Sequence, residues 1–361
     1  METKDGQSLL VWRLSALLSR VGGFWLRRSY FQQIVLVLLL LPTKNAFDIE
    51  LRNIQEAYLP GVQEFPQAAG YFSASFGQVI IAHGLGLTTT TQWIVVHVVL
   101  IAVALGVAFY LISRADPERR SFMILVLASA TATSSLFVSI GKYDVVTFLG
   151  AVGLALARTL PGALVGALVM ASGNPEQAIV ATAALCVLSV SSEFRDLRSR
   201  AVGGLLLAGL LWVLVQIWFQ ATNMSGGRLQ LLPEYLAESI SRVISYPGSA
   251  FWSWLNAGWV FLVLFALMAG RRQWIWIVIS LLVVPATATV ITADGGRVFG
   301  SIVLPAYLVT GLWFGRRVFR DMQNQRALTG ATVSLVVLLP ITVTGPGWFF
   351  DQTFGLLGRF F

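Results

Sequence analysis

Charge, histidine and cysteine are all scarce in this chain. Only 12% of its 361 residues are Asp, Glu, Lys or Arg, about half the share of an ordinary soluble domain. The two histidines, His83 and His97, stand fourteen residues apart, without metal-ligand spacing. The single Cys186 lies in an apolar segment. These shortages exclude a disulfide framework and a CxxC metal motif. No P-loop, dinucleotide fingerprint or serine-nucleophile motif occurs either. The sequence therefore offers no metal site, although a divalent cation held between carboxylates and a phosphate is compatible with its acids.

Apolar residues are abundant. They make up 56% of the chain, and the mean hydropathy is +0.75. Apolar runs fall at 29–43, 92–112, 121–140, 145–157, 161–172, 177–191, 201–220, 251–269, 274–293, 301–315 and 328–345. Runs near 20 residues suit membrane-crossing helices, whereas barrel strands would be shorter and alternating. The pattern predicts an all-α, polytopic transmembrane helix bundle of about 11 spans.

Basic residues sort between these runs. Arg13, Arg20, Arg27 and Arg28 precede the first. Later groups are Arg114, Arg119 and Arg120; Arg195, Arg198 and Arg200; Arg271 and Arg272; and Arg316, Arg317, Arg320 and Arg326. The positive-inside rule makes these loops cytoplasmic. With Lys4 and Arg158, 18 of the 25 Lys and Arg fall inside, while 10 of the 17 acids fall outside. This distribution accounts for the net charge of +8 without nucleic acid. It predicts a cytoplasmic N-terminus and a localisation in a membrane, read as a bacterial plasma membrane. Between Asp144 and Glu193 the number of crossings must be odd. Three short crossings and one span plus a re-entrant hairpin both fit 145–191.

Residues 1–28 read as a cytoplasmic or interfacial amphipathic segment, because 8–21 has a helix-period apolar face carrying Arg13 and Arg20. Residues 29–361 read as one transmembrane domain. Its long first outside loop, 44–90, holds Tyr58, Phe65, Tyr71, Phe72 and Phe76 and predicts short amphipathic helices.

The outside charges cluster at span ends. They are Asp48, Glu50 and Arg52; Lys142 and Asp144; Glu176; and Asp294 with Arg297. In "ADGGRVFG", two glycines separate the acid from the arginine, so backbone N–H groups can approach a ligand. An Arg opening a helix suits a phosphate. Glu176 follows Asn174-Pro175 and reads as a first-turn acid. His83 reads as a packed or interfacial histidine. Trp252, Trp254 and Trp274 read as interface anchors. Asn223-Met224-Ser225 is a bare glycosylation sequon.

This arrangement resembles GT-C-type membrane glycosyltransferases and Wzy- or EpsG-like polysaccharide polymerases. The likeness is architectural: acids in a long first outside loop (Asp48, Glu50), an acid after the third span (Asp144), and a late outside Asp-x-x-Arg (Asp294, Arg297). It implies a polyprenyl phosphate- or diphosphate-linked sugar donor, a glycan or lipid acceptor, and a membrane lipid environment. Asp48, Glu50 or Asp144 would serve in catalysis, Asp48 being first choice for the base. Arg297, Asp294, Lys142 and Arg52 would hold the lipid phosphate. Two other classes stay open. The broken stretch 158–178 suits a transporter or lipid-linked-sugar flippase, with Arg158 its main ionisable candidate. A non-catalytic subunit of an envelope assembly complex would scatter the outside charges.

Overall fold

The computed structural model describes residues 2–44, 49, 51–68, 70–224, 236–237, 240–241, 244–245, 247–289, 295–318, 322–339, 341–343 and 352–354. Within them the regular structure is helical apart from two three-residue strands, Ile341–Val343 and Gln352–Phe354, paired antiparallel, and an isolated bridge from Ile49 to Ile140. Among the described residues, four helices are long and apolar enough to cross a membrane: Thr90–Ala115, Ser192–Ala221, Arg271–Thr289 and Gly295–Val318. Counting two bent helix pairs as one span each gives up to six. This build is compatible with an integral membrane protein.

The Gly295–Val318 helix is the axis of the bundle. Of its most apolar stretch 94% is buried, against 33%, 22% and 28% for the other three. Those three turn apolar side chains outward. Val95, Val98, Val99 and Val103 are exposed on one helix, and Leu206, Leu210, Val213 and Ile217 on another. Such continuous apolar faces are unfavourable in water and natural against lipid.

Two of the apolar runs break where the sequence shows no proline. Run 121–140 forms the helices Arg120–Ser129 and Thr131–Val138, bent by 56° at an extended Ala130. Hydroxyls answer carbonyls near the break: Ser129 Oγ donates to Val126 O at 2.6 Å, and Thr133 Oγ1 to Leu127 O at 2.6 Å. That is how a helix break persists away from water. Run 251–269 forms Pro247–Leu255 and Gly258–Met268 around Asn256, whose φ is 48°. Asn adopts this left-handed conformation more easily than most residues. The two breaks meet, since Asn256 Nδ2 donates to Thr131 Oγ1 at 3.0 Å. Both sit against the first turns of the axial helix, where Trp254 stacks on Phe299 at 4.8 Å.

Run 328–345 also divides. The helix Met322–Leu338 stops before Pro340, which has no N–H to continue it, and Ile341–Val343 turns to strand.

The N-terminal helix Glu2–Leu26 extends beyond the amphipathic stretch seen in sequence and bends by 111° into Tyr30–Lys44. It crosses Met322–Leu338 at a glycine pair. A β-carbon on Gly22 would strike Arg326 O, and one on Gly330 would strike Leu18 O. Only glycine allows two helix backbones this close.

Between 145 and 191 stand three helices, Asp144–Leu156, Leu160–Gly173 and Pro175–Leu188, of 13, 14 and 14 residues. Each is about 20 Å long, less than a full hydrocarbon core. Thr159 and Asn174 cap the second and third helices by accepting from Gly162 N and Gln177 N. The 51–84 stretch folds as short helices, as its aromatics suggested. Ile54 and Tyr58 are fully buried there, and Tyr58 stacks on Trp93 at 5.2 Å.

Candidate functional site

The two ends of the bundle differ in chemistry. At one end the basic loops converge. Arg158 Nη2 donates to Arg114 O at 2.6 Å and Ala115 O at 3.0 Å. Arg200 Nη1 donates to Ala157 O. Asp116 accepts from Arg119 Nη1 at 3.1 Å and from Arg316 Nε at 3.0 Å. Glu193 accepts from Gln273 Nε2 at 2.9 Å and pairs with Arg317 at 4.0 Å. Cations here sit on the C-terminal carbonyls of helices, where the helix dipole favours them.

The same helices carry a different set at their opposite end. Asp144 opens the helix Asp144–Leu156, and Arg297 lies in the first turn of Gly295–Val318. Arg297 Nη1 donates to Asp144 Oδ2 at 2.7 Å and Oδ1 at 3.0 Å. The residues are 7% and 2% exposed. The Arg297 guanidinium also lies 5.3 Å from the centre of the Tyr143 ring, a cation–π distance. A helix N-terminus further favours the Asp144 carboxylate. Removing one partner from such a pair costs about 3–5 kcal/mol, because the other charge is left buried.

Lys142, two residues before Asp144, is also buried, at 7% exposure. Its carbonyl accepts from Gln78 Nε2 at 3.0 Å. The second Gln78 amide hydrogen goes to His97 Nε2. His97 Nδ1 donates to Trp93 O at 2.8 Å, a tautomer assigned from this network. Trp93 Nε1 donates to Gly141 O at 2.9 Å. One polar chain thus ties the short helix Phe76–Gly84, the long helix Thr90–Ala115 and the loop before Asp144.

The turn between Leu160–Gly173 and Pro175–Leu188 closes the other side. A β-carbon on Gly173 would lie 2.7 Å from Thr147 Oγ1 and 3.3 Å from Tyr143 O. One on Gly77 would lie 2.5 Å from Ser172 Oγ. Gln177 Nε2 reaches Tyr143 Oη at 3.5 Å. Residues 75–78, 142–144, 172–177 and Arg297 therefore form one contiguous polar region.

Several buried atoms in this region have no hydrogen-bond partner among the described residues: Gln78 Oε1, Gln177 Oε1, Asn174 Nδ2 and Ser75 Oγ. All four residues are at most 4% exposed. Leaving such a group unpaired costs about 1–3 kcal/mol.

Of the residues singled out in sequence, Asp144 and Arg297 pair directly, and Lys142 is buried two residues before Asp144. Asp48, Glu50 and Asp294 lie outside the described residues. Ile49 forms a parallel bridge to Ile140, two residues before Lys142. Arg52 is exposed and pairs with Glu56 at 2.8 Å. Glu176 sits in the first turn of its helix, behind the Asn174 cap. Among the described residues, no three His, Cys, Asp or Glu side chains gather as a metal site. Sequence reasoning missed Gln78, Asn174 and Gln177. The available signal was a side-chain amide inside or at the edge of an apolar run.

No family model matches the chain, and no curated protein and no solved structure is found similar to it.

Proposed function

We propose that this chain is an integral membrane glycosyltransferase or polysaccharide polymerase that takes a sugar from a polyprenyl phosphate or diphosphate. In this reading the chain crosses a bacterial plasma membrane eleven times from a cytoplasmic N-terminus. Residues 44–90 stand outside, and the Asp144–Arg297 end faces out. The donor reaches that end from the outer leaflet. Arg297 and Lys142 supply the positive charge that stabilises the lipid phosphate as it leaves. Asp144 orients the Arg297 fork and keeps the guanidinium in place between turnovers. A carboxylate of the first loop, Asp48 before Glu50, takes the proton of the acceptor hydroxyl. That oxygen then bonds to the anomeric carbon, and the bond from this carbon to the phosphate oxygen breaks.

The observation that carries this reading is the buried Arg297–Asp144 pair, opposite the basic end, with Lys142 buried two residues before Asp144. A subunit without chemistry had been expected to scatter these charges. The transport reading rests on the broken stretch 158–178, with Arg158 as its main ionisable candidate. Arg158 lies exposed in the basic end, bonded to the last carbonyls of Thr90–Ala115.

The test is transfer of labelled sugar in proteoliposomes, using donors on polyprenyl phosphate and diphosphate and a lipid or glycan acceptor. The reading expects product with the native chain and its loss with Lys142→Ala. Uptake of free sugar without transfer would favour transport.

A further inference from the structure

We infer that the side-chain amides beside the Arg297–Asp144 pair form a subsite for the hydroxyl groups of a neutral sugar. Gln78, Asn174 and Gln177 are its recognition residues, and Ser75 lies at its edge. The inference rests on the proposed function and names the ligand chemistry of that same region.

The atoms themselves give the reason. Gln78 spends both amide hydrogens, on His97 Nε2 and Lys142 O, and keeps a buried Oε1 with no partner among the described residues. Gln177 gives its Nε2 to the Tyr143 hydroxyl and keeps Oε1. Asn174 spends Oδ1 on capping its helix and keeps Nδ2. Ser75 Oγ is likewise unmatched. The remaining capacity is two carbonyl acceptors, one amide donor and one hydroxyl. Buried polar atoms in native proteins are almost always paired, and these four belong to segments in mutual contact, where one ligand would pair them.

The mixture decides the ligand class. A phosphate offers only acceptor oxygens and would leave Gln78 Oε1 and Gln177 Oε1 unmatched. A cation would leave Asn174 Nδ2 unmatched. A hydroxyl both donates and accepts, so a polyhydroxylated ring can answer all four atoms. Arg297 and Lys142 suit the phosphate, and the uncharged amides suit the ring attached to it. Tyr143 links the two halves, with its ring beside the Arg297 guanidinium and its hydroxyl on Gln177.

The experiment measures binding to the full chain in lipid nanodiscs, read by native mass spectrometry. The probes are undecaprenyl phosphate and the same lipid carrying glucose, galactose, mannose or N-acetylglucosamine. Methyl glycosides of those sugars form a third set. At least one lipid-linked sugar is expected to bind about tenfold or more tightly than the bare lipid phosphate. Gln78→Ala and Gln177→Ala are expected to abolish that gain, and a native far-UV circular dichroism spectrum of each variant shows that it folds. Lipid phosphate binding with no gain from any sugar overturns the inference and leaves the proposed function standing. Methyl glycosides that bind through Gln78 and Gln177, with no gain from the lipid phosphate, keep the inference and overturn the donor reading. Binding of no probe overturns both.

Discussion

Arg297 holds both carboxylate oxygens of Asp144 across 153 residues of chain, at 2.7 and 3.0 Å, in a setting almost closed to solvent. The pair pins the first turn of the axial helix to the first turn of Asp144–Leu156. Asp144→Asn or Arg297→Gln should each lower stability by about 3–5 kcal/mol, since each strands a buried charge. The double variant Asp144→Leu with Arg297→Met should recover most of that loss, because it removes both charges and keeps apolar bulk. Thermal unfolding of the three variants in one detergent checks the order.

The glycine crossing between the first and last long helices gives a second expectation. Gly22→Val should push the backbones of Glu2–Leu26 and Met322–Leu338 apart, because Arg326 O occupies the space a β-carbon needs. The cost should be about 1–3 kcal/mol, as for other overpacked contacts. Limited proteolysis should then release the N-terminal helix sooner than in the native chain. Gly23→Ala meets only Cδ of the Arg326 side chain, at 4.0 Å, and should leave it in place.

Arg158 should matter to structure alone. Arg158→Ala removes its bonds to Arg114 O and Ala115 O and should cost about 0.3–1 kcal/mol. Sugar-transfer activity should stay at the native level. A large loss of activity with unchanged thermal stability would return Arg158 to the candidate site.

The sidedness of the two ends can be read by labelling. In a Cys186→Ser background, Thr88→Cys and Glu118→Cys lie at exposed positions at opposite ends of the Thr90–Ala115 helix. A membrane-impermeant maleimide should label Thr88→Cys in intact cells. It should label Glu118→Cys only after the membrane is opened. The reverse pattern would invert the proposed orientation.

Much of this was legible in sequence, and the gaps have physical causes. Charge sorting found the basic end, because Arg residues at helix C-termini answer both the dipole and the positive-inside rule. Asp144, Lys142 and Arg297 stood out because charges beside apolar runs are rare. The apolar runs themselves concealed the breaks at Ala130 and Asn256. Those breaks depend on Ser, Thr and Asn side chains bonding to carbonyls and to each other, as in Asn256 to Thr131, and hydropathy does not register such bonds. The amide cluster was hidden for a related reason. Gln78, Asn174 and Gln177 are spread over 100 positions and meet only when the turn at Gly173 packs against Thr147. Arg52 stands near the other charges in sequence and is exposed beside Glu56.

The most direct measurement is sugar transfer by the folded double variant, Asp144→Leu with Arg297→Met, beside the native chain in proteoliposomes carrying a lipid-linked donor. If the buried pair is the phosphate-handling centre, the native chain transfers sugar. The double variant, stable to heat and correctly inserted, then transfers none. Transfer at the native rate by that stable variant would show that the pair only holds two helices together, and the proposed function would fail with it.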